Sequence, residues 1–183
     1  MALNLRPEPL PEGERLRDLV LGGLEALLGP TTVLARSTPL EGEPALVLDG
    51  QGDLVVVTID ASDGARALLC GLKALEGLAA AAPWMARTLP EWPETAQPDA
   101  ARLLVLAPSA PPGLARLGTP ERVAAAELRA VRMGDEVGLL ISPVAASLSA
   151  WGGRPLASVP RRNPFRTGLI TLSPEEAAFF DRL

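Results

Sequence analysis

The six residues Leu54-Val55-Val56-Val57-Thr58-Ile59 constrain the fold more than any other stretch of this chain. Most of them are β-branched, which disfavours a helix and favours a pleated strand. They show no alternation of polar and apolar positions, so the strand is predicted to be covered on both faces, in the middle of a sheet. Just upstream, "PALVLD" (44–49) is a second strand, and Gly50-Gln51-Gly52 between the two is a glycine-containing turn of the kind that joins antiparallel neighbours. Downstream, Ser62-Asp63 caps a helix expected to run to about Ala82, with Ala65, Leu68, Leu69, Leu72, Leu75, Leu78 and Ala79 as its apolar stripe.

Other elements follow from similar patterns. Leu16, Leu19, Val20, Leu24, Leu27 and Leu28 recur at spacings of three and four, which predicts a helix from about Glu12 to Leu28, ended by Gly29-Pro30 and weakened by Gly22-Gly23. "TTVLARS" (31–37) reads as a short strand and "ARLLVLAP" (101–108) as another buried one. Between them "PWMARTLPEWPETAQPD" (83–99) reads as a proline-punctuated loop pinned to the body by Trp84 and Trp92. "AELRAVRM" and "EVGLLISP" around Gly134-Asp135 make residues 126–142 a second hairpin, with a soft boundary at "TPER" (119–122). Residues 1–12 read as disordered, residues 13–143 as one α/β domain, and residues 144–183 as an extended arm ending in a short helix capped at Ser173.

Composition removes whole classes of chemistry. The chain has 183 residues, one cysteine and no histidine. Disulfides within the chain, the usual zinc sites, Ser-His-Asp triads and Cys-His dyads are therefore excluded. Cys70 lies in an apolar helical run and reads as a small core residue. No apolar run reaches the roughly 18 residues of a membrane span, and the acidic, proline-rich start lacks the apolar centre of a signal peptide. A cytoplasmic protein without membrane association is expected. One of the 17 basic residues is lysine, Lys73, and the rest are arginine, a bias expected of a GC-rich bacterial genome. A net charge of −5 opposes a surface built throughout for nucleic acid, although "RPLASVPRRNPFR" concentrates Arg154, Arg161, Arg162 and Arg166 without an acid.

The predicted order is helix, strand, strand, strand, helix, strand. This αβββαβ order, with "PALVLDGQGDLVVVTID" on the hairpin and "RALLC" (66–70) on the following helix, resembles the PD-(D/E)xK, or restriction-endonuclease-like, nuclease superfamily in its bacterial and archaeal endonuclease-like branch, over about residues 12–143. The resemblance implies a mixed sheet, to which this chain adds an extra hairpin and the C-terminal arm. It also implies where catalysis would lie. In these nucleases carboxylates of the hairpin hold Mg²⁺, and a lysine two residues after the second carboxylate shares its face of the strand and activates water. Carried over by position, the family's first aspartate falls on Pro44, its glutamate on Thr58 and its lysine on Asp60. None of the three is retained, so the motif is degenerate.

The expected function is thus a non-catalytic nuclease-like domain, not an enzyme, that serves as a protein interaction or scaffold module or self-associates. No cofactor and no metal are expected. Trp92, Trp151, Phe165, Phe179 and Phe180 are the candidate partner-binding residues. The alternatives are nucleic-acid binding without cleavage through the four arginines, and a divergent Mg²⁺-dependent nuclease whose site is rebuilt from Glu25, Asp49, Asp60, Asp63 and Lys73.

Overall fold

The elements run in the order β1 (Leu5–Glu8), α1 (Gly13–Gly23), α2 (Glu25–Leu28), β2 (Thr32–Ala35), β3 (Ala45–Leu48), β4 (Leu54–Ile59), α3 (Gly64–Thr88), β5 (Arg102–Ala107), β6 (Val123–Met133) and β7 (Glu136–Pro143). They come from a computed structural model that describes residues 5–112, 114, 121–133 and 136–144. β2, β3 and β4 form an antiparallel meander, β5 joins β4 in parallel, β6 joins β5 in parallel, and β7 returns antiparallel to β6. The protein is therefore mixed α/β, with the parallel strands in the centre of the sheet.

Side-chain alternation sorts the core into two layers. Val55, Val57, Leu104 and Leu106 face α1 and α2, where Leu16, Val20, Leu24 and Leu27 meet them. Leu54, Val56, Leu103 and Val105 face α3. β5 is buried at all six positions and β4 at its first five, as the unbroken apolar run of β4 predicts for a strand covered on both faces. The turn between β3 and β4 is held by Asp49, whose Oδ1 accepts from the N–H groups of Gln51 (2.9 Å) and Asp53 (3.0 Å), while Gly52 takes the positive φ of +85°.

Five expectations change. The helix expected over 12–28 breaks at Leu24, whose carbonyl starts the short α2, because the Gly22-Gly23 pair lowers helix propensity just before it. The N-terminal residues expected to be disordered include a strand: β1 pairs antiparallel with residues 130–133 of β6, and Arg132 Nε donates to Glu8 Oε1 at 2.5 Å. β6 pairs with β5 only over 123–127 and with β7 over 126–133, so the edge left beyond β5 is open to β1. No local pattern in four residues announces a partner more than a hundred positions away. β6 also begins at Val123, three residues before the expected hairpin.

α3 differs twice. It runs past Ala82 through Pro83 to Thr88, since Met85 in the added turn is fully buried against the sheet and that packing outweighs the backbone bond a proline cannot make. Its buried face is also rotated from the expected stripe. Ala67, Gly71, Ala74, Leu78 and Met85 face the sheet, whereas Leu69 is 55 % exposed and Leu68, Leu72 and Leu75 are only half-buried. The approach is closest at Gly71, where an added Cβ would stand 2.5 Å from Leu103 Cδ1, so this point of the helix face takes no side chain.

Candidate functional site

The polar cluster where β4 ends and α3 begins is assembled by "DASDG", residues 60–64. The Asp60 N–H donates to the Leu106 carbonyl at 3.0 Å, which ties the end of β4 to β5. Its carboxylate then organises the turn into the helix. Oδ1 accepts from Ser62 N (2.8 Å), Ser62 Oγ (2.9 Å) and Asp63 N (2.9 Å), and Oδ2 accepts from Arg66 Nε (2.5 Å). Asp63 in turn caps α3 by accepting from the N–H groups of Ala65 and Arg66. Gly64 is required for space, because a Cβ there would lie 2.4 Å from the Ser109 carbonyl oxygen.

Electrostatics fix the protonation state of this cluster. Burial pushes the Asp60 carboxyl up, but the hydrogen bonds from Arg66, Ser62 and Asp63 together outweigh it and hold the group at about 2. The same pair raises the already high pKa of Arg66, first through its hydrogen bond to Asp60 and then through the charge. A carboxylate this acidic cannot serve as a general base near neutral pH, so the Ser62 hydroxyl that donates to it is not an activated nucleophile.

Pro44, Thr58 and Asp60, the three positions of the degenerate motif, come together on the α3 side of the sheet. Pro44 lies one step beyond the Ala45–Val57 pair, opposite Thr58. It is buried and contributes only a carbonyl, which accepts from Thr38 N (3.0 Å) and Thr38 Oγ1 (2.9 Å). Thr58 is 2 % exposed and its hydroxyl has no hydrogen-bond partner among the described residues.

The chain matches no protein-family model, no curated protein and no solved structure.

Of the five residues of a rebuilt metal site, only Asp60 and Asp63 share a turn, at the start of α3. Glu25 is exposed in the first turn of α2, Asp49 holds the β3–β4 turn, Asp63 caps α3, and Lys73 Nζ donates to Glu41 Oε1 at 2.6 Å. Among the described residues no group of three or more His, Cys, Asp or Glu side chains is placed to hold a metal ion. Cys70 is half-buried beneath the loop that precedes β3, where a Cβ on Gly42 would come within 2.7 Å of its own Cβ. Trp92 is half-buried and packs against the α3-side core, whereas Trp84, expected to pin a loop, is 46 % exposed on α3. Trp151, Phe165, Phe179, Phe180, Arg154, Arg161, Arg162 and Arg166 lie outside the described residues.

Sequence reasoning missed one polar centre. Arg102, at the start of β5, pairs with Asp49 and, at 3.2 Å, with Asp53, and both Arg102 and Asp49 are almost fully buried. The signal was present as a single arginine opening an otherwise apolar strand, with two aspartates framing a turn elsewhere. Only the register of β5 against β4, which sets Arg102 beside Val55, brings them together.

Proposed function

We propose that this chain is a non-catalytic domain with a restriction-endonuclease-like core, used to bind protein rather than to cut nucleic acid. The order and directions of the elements from α1 to β5 support that core: helix, antiparallel meander, helix, parallel strand. The observation that carries the loss of catalysis is the state of Asp60. It stands where the family places a lysine, and both its oxygens are occupied by this chain's own donors. Pro44 has no carboxylate to offer and Thr58 is a weak ligand for a hard divalent cation.

Incubation of the full chain with plasmid and with a fluorescent duplex, in Mg²⁺ and in Mn²⁺, tests this reading. No cleavage and no salt-sensitive binding are expected. Cleavage abolished by Asp60→Ala or Lys73→Ala overturns it in favour of a rebuilt nuclease. Duplex binding that weakens steeply with added salt overturns it in favour of nucleic-acid recognition.

A further inference from the structure

β1 is held to the sheet lightly. Arg6 and Pro7 are exposed and Glu8 is half-buried, so from Arg6 to Glu8 the attachment is backbone pairing with β6 and the Glu8–Arg132 ion pair. Arg6 stands directly opposite Arg132, a like-charge cross-strand pair that opposes docking. Beyond β1 the chain is stiff. Pro9 and Pro11 fix their own φ and hold Glu8 and Leu10 extended, and Glu12 is extended as well, at φ −108° and ψ 164°. Residues 5–12 thus form one rod, with Leu10 half-buried against the α1-side layer. The rod joins α1 at Gly13, which takes the positive φ of +60°.

A stiff segment on a one-residue hinge is free to leave its own sheet for that of a second copy. We propose that two copies of this chain exchange residues 5–12, so that β1 of each pairs with residues 130–133 of β6 in the other. The edge itself identifies the occupant. This strand already fits it in register, with Glu8 on Arg132 and Leu10 against the α1-side layer, and a second copy brings the identical strand. In the exchanged form Gly13 leaves the left-handed region and the rod swings away from its own α1. The exchange is reciprocal and closes at two. Closed and exchanged forms hold the same contacts, so the dissociation constant lies near the effective concentration of a short tether, in the millimolar range. The balance is set at Gly13, since any other residue there strains the closed form, and short strained hinges favour exchange. The inference rests on the reading of this chain as a protein-binding module.

Sedimentation of the full chain from about 10 µM to about 1 mM tests it, since exchange makes the observed mass concentration-dependent. The parent is expected to dimerise only towards the top of that range. Gly13→Ala is expected to tighten the dimer at least about tenfold, with unchanged far-ultraviolet circular dichroism as the control for folding. A Cβ at Gly13 meets nothing within 4 Å among the described residues, so the substitution burdens the closed hinge and nothing else. Charge reversal then identifies the exchanged strand. In the Gly13→Ala background, Glu8→Arg sets two arginines of β1 against Arg132, and Arg132→Glu on another copy offers those arginines a partner. An equimolar mixture of the two variants is expected to form mainly heterodimer by native mass spectrometry, because that pairing relieves the repulsion without disturbing the second Glu8–Arg132 contact. One chain carrying both reversals, E8R/R132E, is expected to dimerise as Gly13→Ala alone does. A Gly13→Ala chain that stays monomeric at about 1 mM overturns the proposal. So does a mixture in which the heterodimer is no commoner than chance. A monomer that cleaves no nucleic acid and binds a protein through another surface overturns the exchange alone, whereas nuclease activity overturns the functional reading itself.

Discussion

Asp60 shows how a single side chain is placed by its neighbours. Its carboxyl falls from 3.8 to about 2 in the folded chain, so it contributes stability that is complete above pH 4 and is lost as the pH falls through 2. The shift is worth at most about 2 kcal/mol, less whatever solvent screens from the exposed Arg66 partner. Asp60→Asn should remove that pH dependence while keeping the acceptor for Ser62 and Asp63. Melting temperatures of the two proteins should converge between pH 4 and pH 2. Thr58→Val deletes an orphaned buried hydroxyl without changing shape, and chemical denaturation should find it neutral or up to about 1 kcal/mol more stable than the parent. Arg102→Met acts in the opposite direction. It strands the buried Asp49 carboxylate and should cost about 3–5 kcal/mol, whereas exposed pairs such as Lys73–Glu41 contribute about 1 kcal/mol or less. Asp60 was noticed in the sequence because it ends an apolar strand. The donors that saturate it were not, because "ASDG" specifies a cap and a turn but not which way the carboxylate faces.

At the level of elements, strands proved more legible than helix faces. β4 is apolar but for Thr58, and no placement other than a sheet interior removes so many of its side chains from water. The hairpin around Gly50-Gln51-Gly52 was legible for a similar reason, since the turn and both strands lie within sixteen residues of one another. α3 is apolar on several sides, so periodicity could not decide which side meets the sheet. Packing decided it: Gly71 fits against Leu103, and the face it shares with Ala67, Ala74, Leu78 and Met85 is the buried one. By local pattern Pro83 opens a loop, because its penalty in a helix interior is real. Replacing it with alanine restores an N–H for the preceding turn and should stabilise the protein by about 1–3 kcal/mol in urea unfolding, with no change in helix length. A protein that unfolds at lower urea would mean that the proline fits a bend required by Met85.

For the whole molecule, β1 makes the strand pairing most distant in sequence among the described residues, joining residues 5–8 to 130–133 and adding the ion pair between Glu8 and Arg132. Deleting residues 1–9 uncovers part of an edge of β6. It should lower the melting temperature and raise light scattering on heating, since an unpaired edge invites pairing with other chains. Glu8→Gln alone should do little, because the pair is half-exposed. The sequence by itself determined what neighbours along the chain can settle: strand or helix from periodicity, the hairpins from their turns, and the absence of His-dependent chemistry from composition. Only the tertiary structure decided the rest. The pairing of β1, the burial of Arg102 on Asp49, the face that α3 presents to the sheet and the saturation of Asp60 all depend on surfaces meeting across long separations. There free energy is set by fit, desolvation and register, and no window of adjacent residues contains both sides.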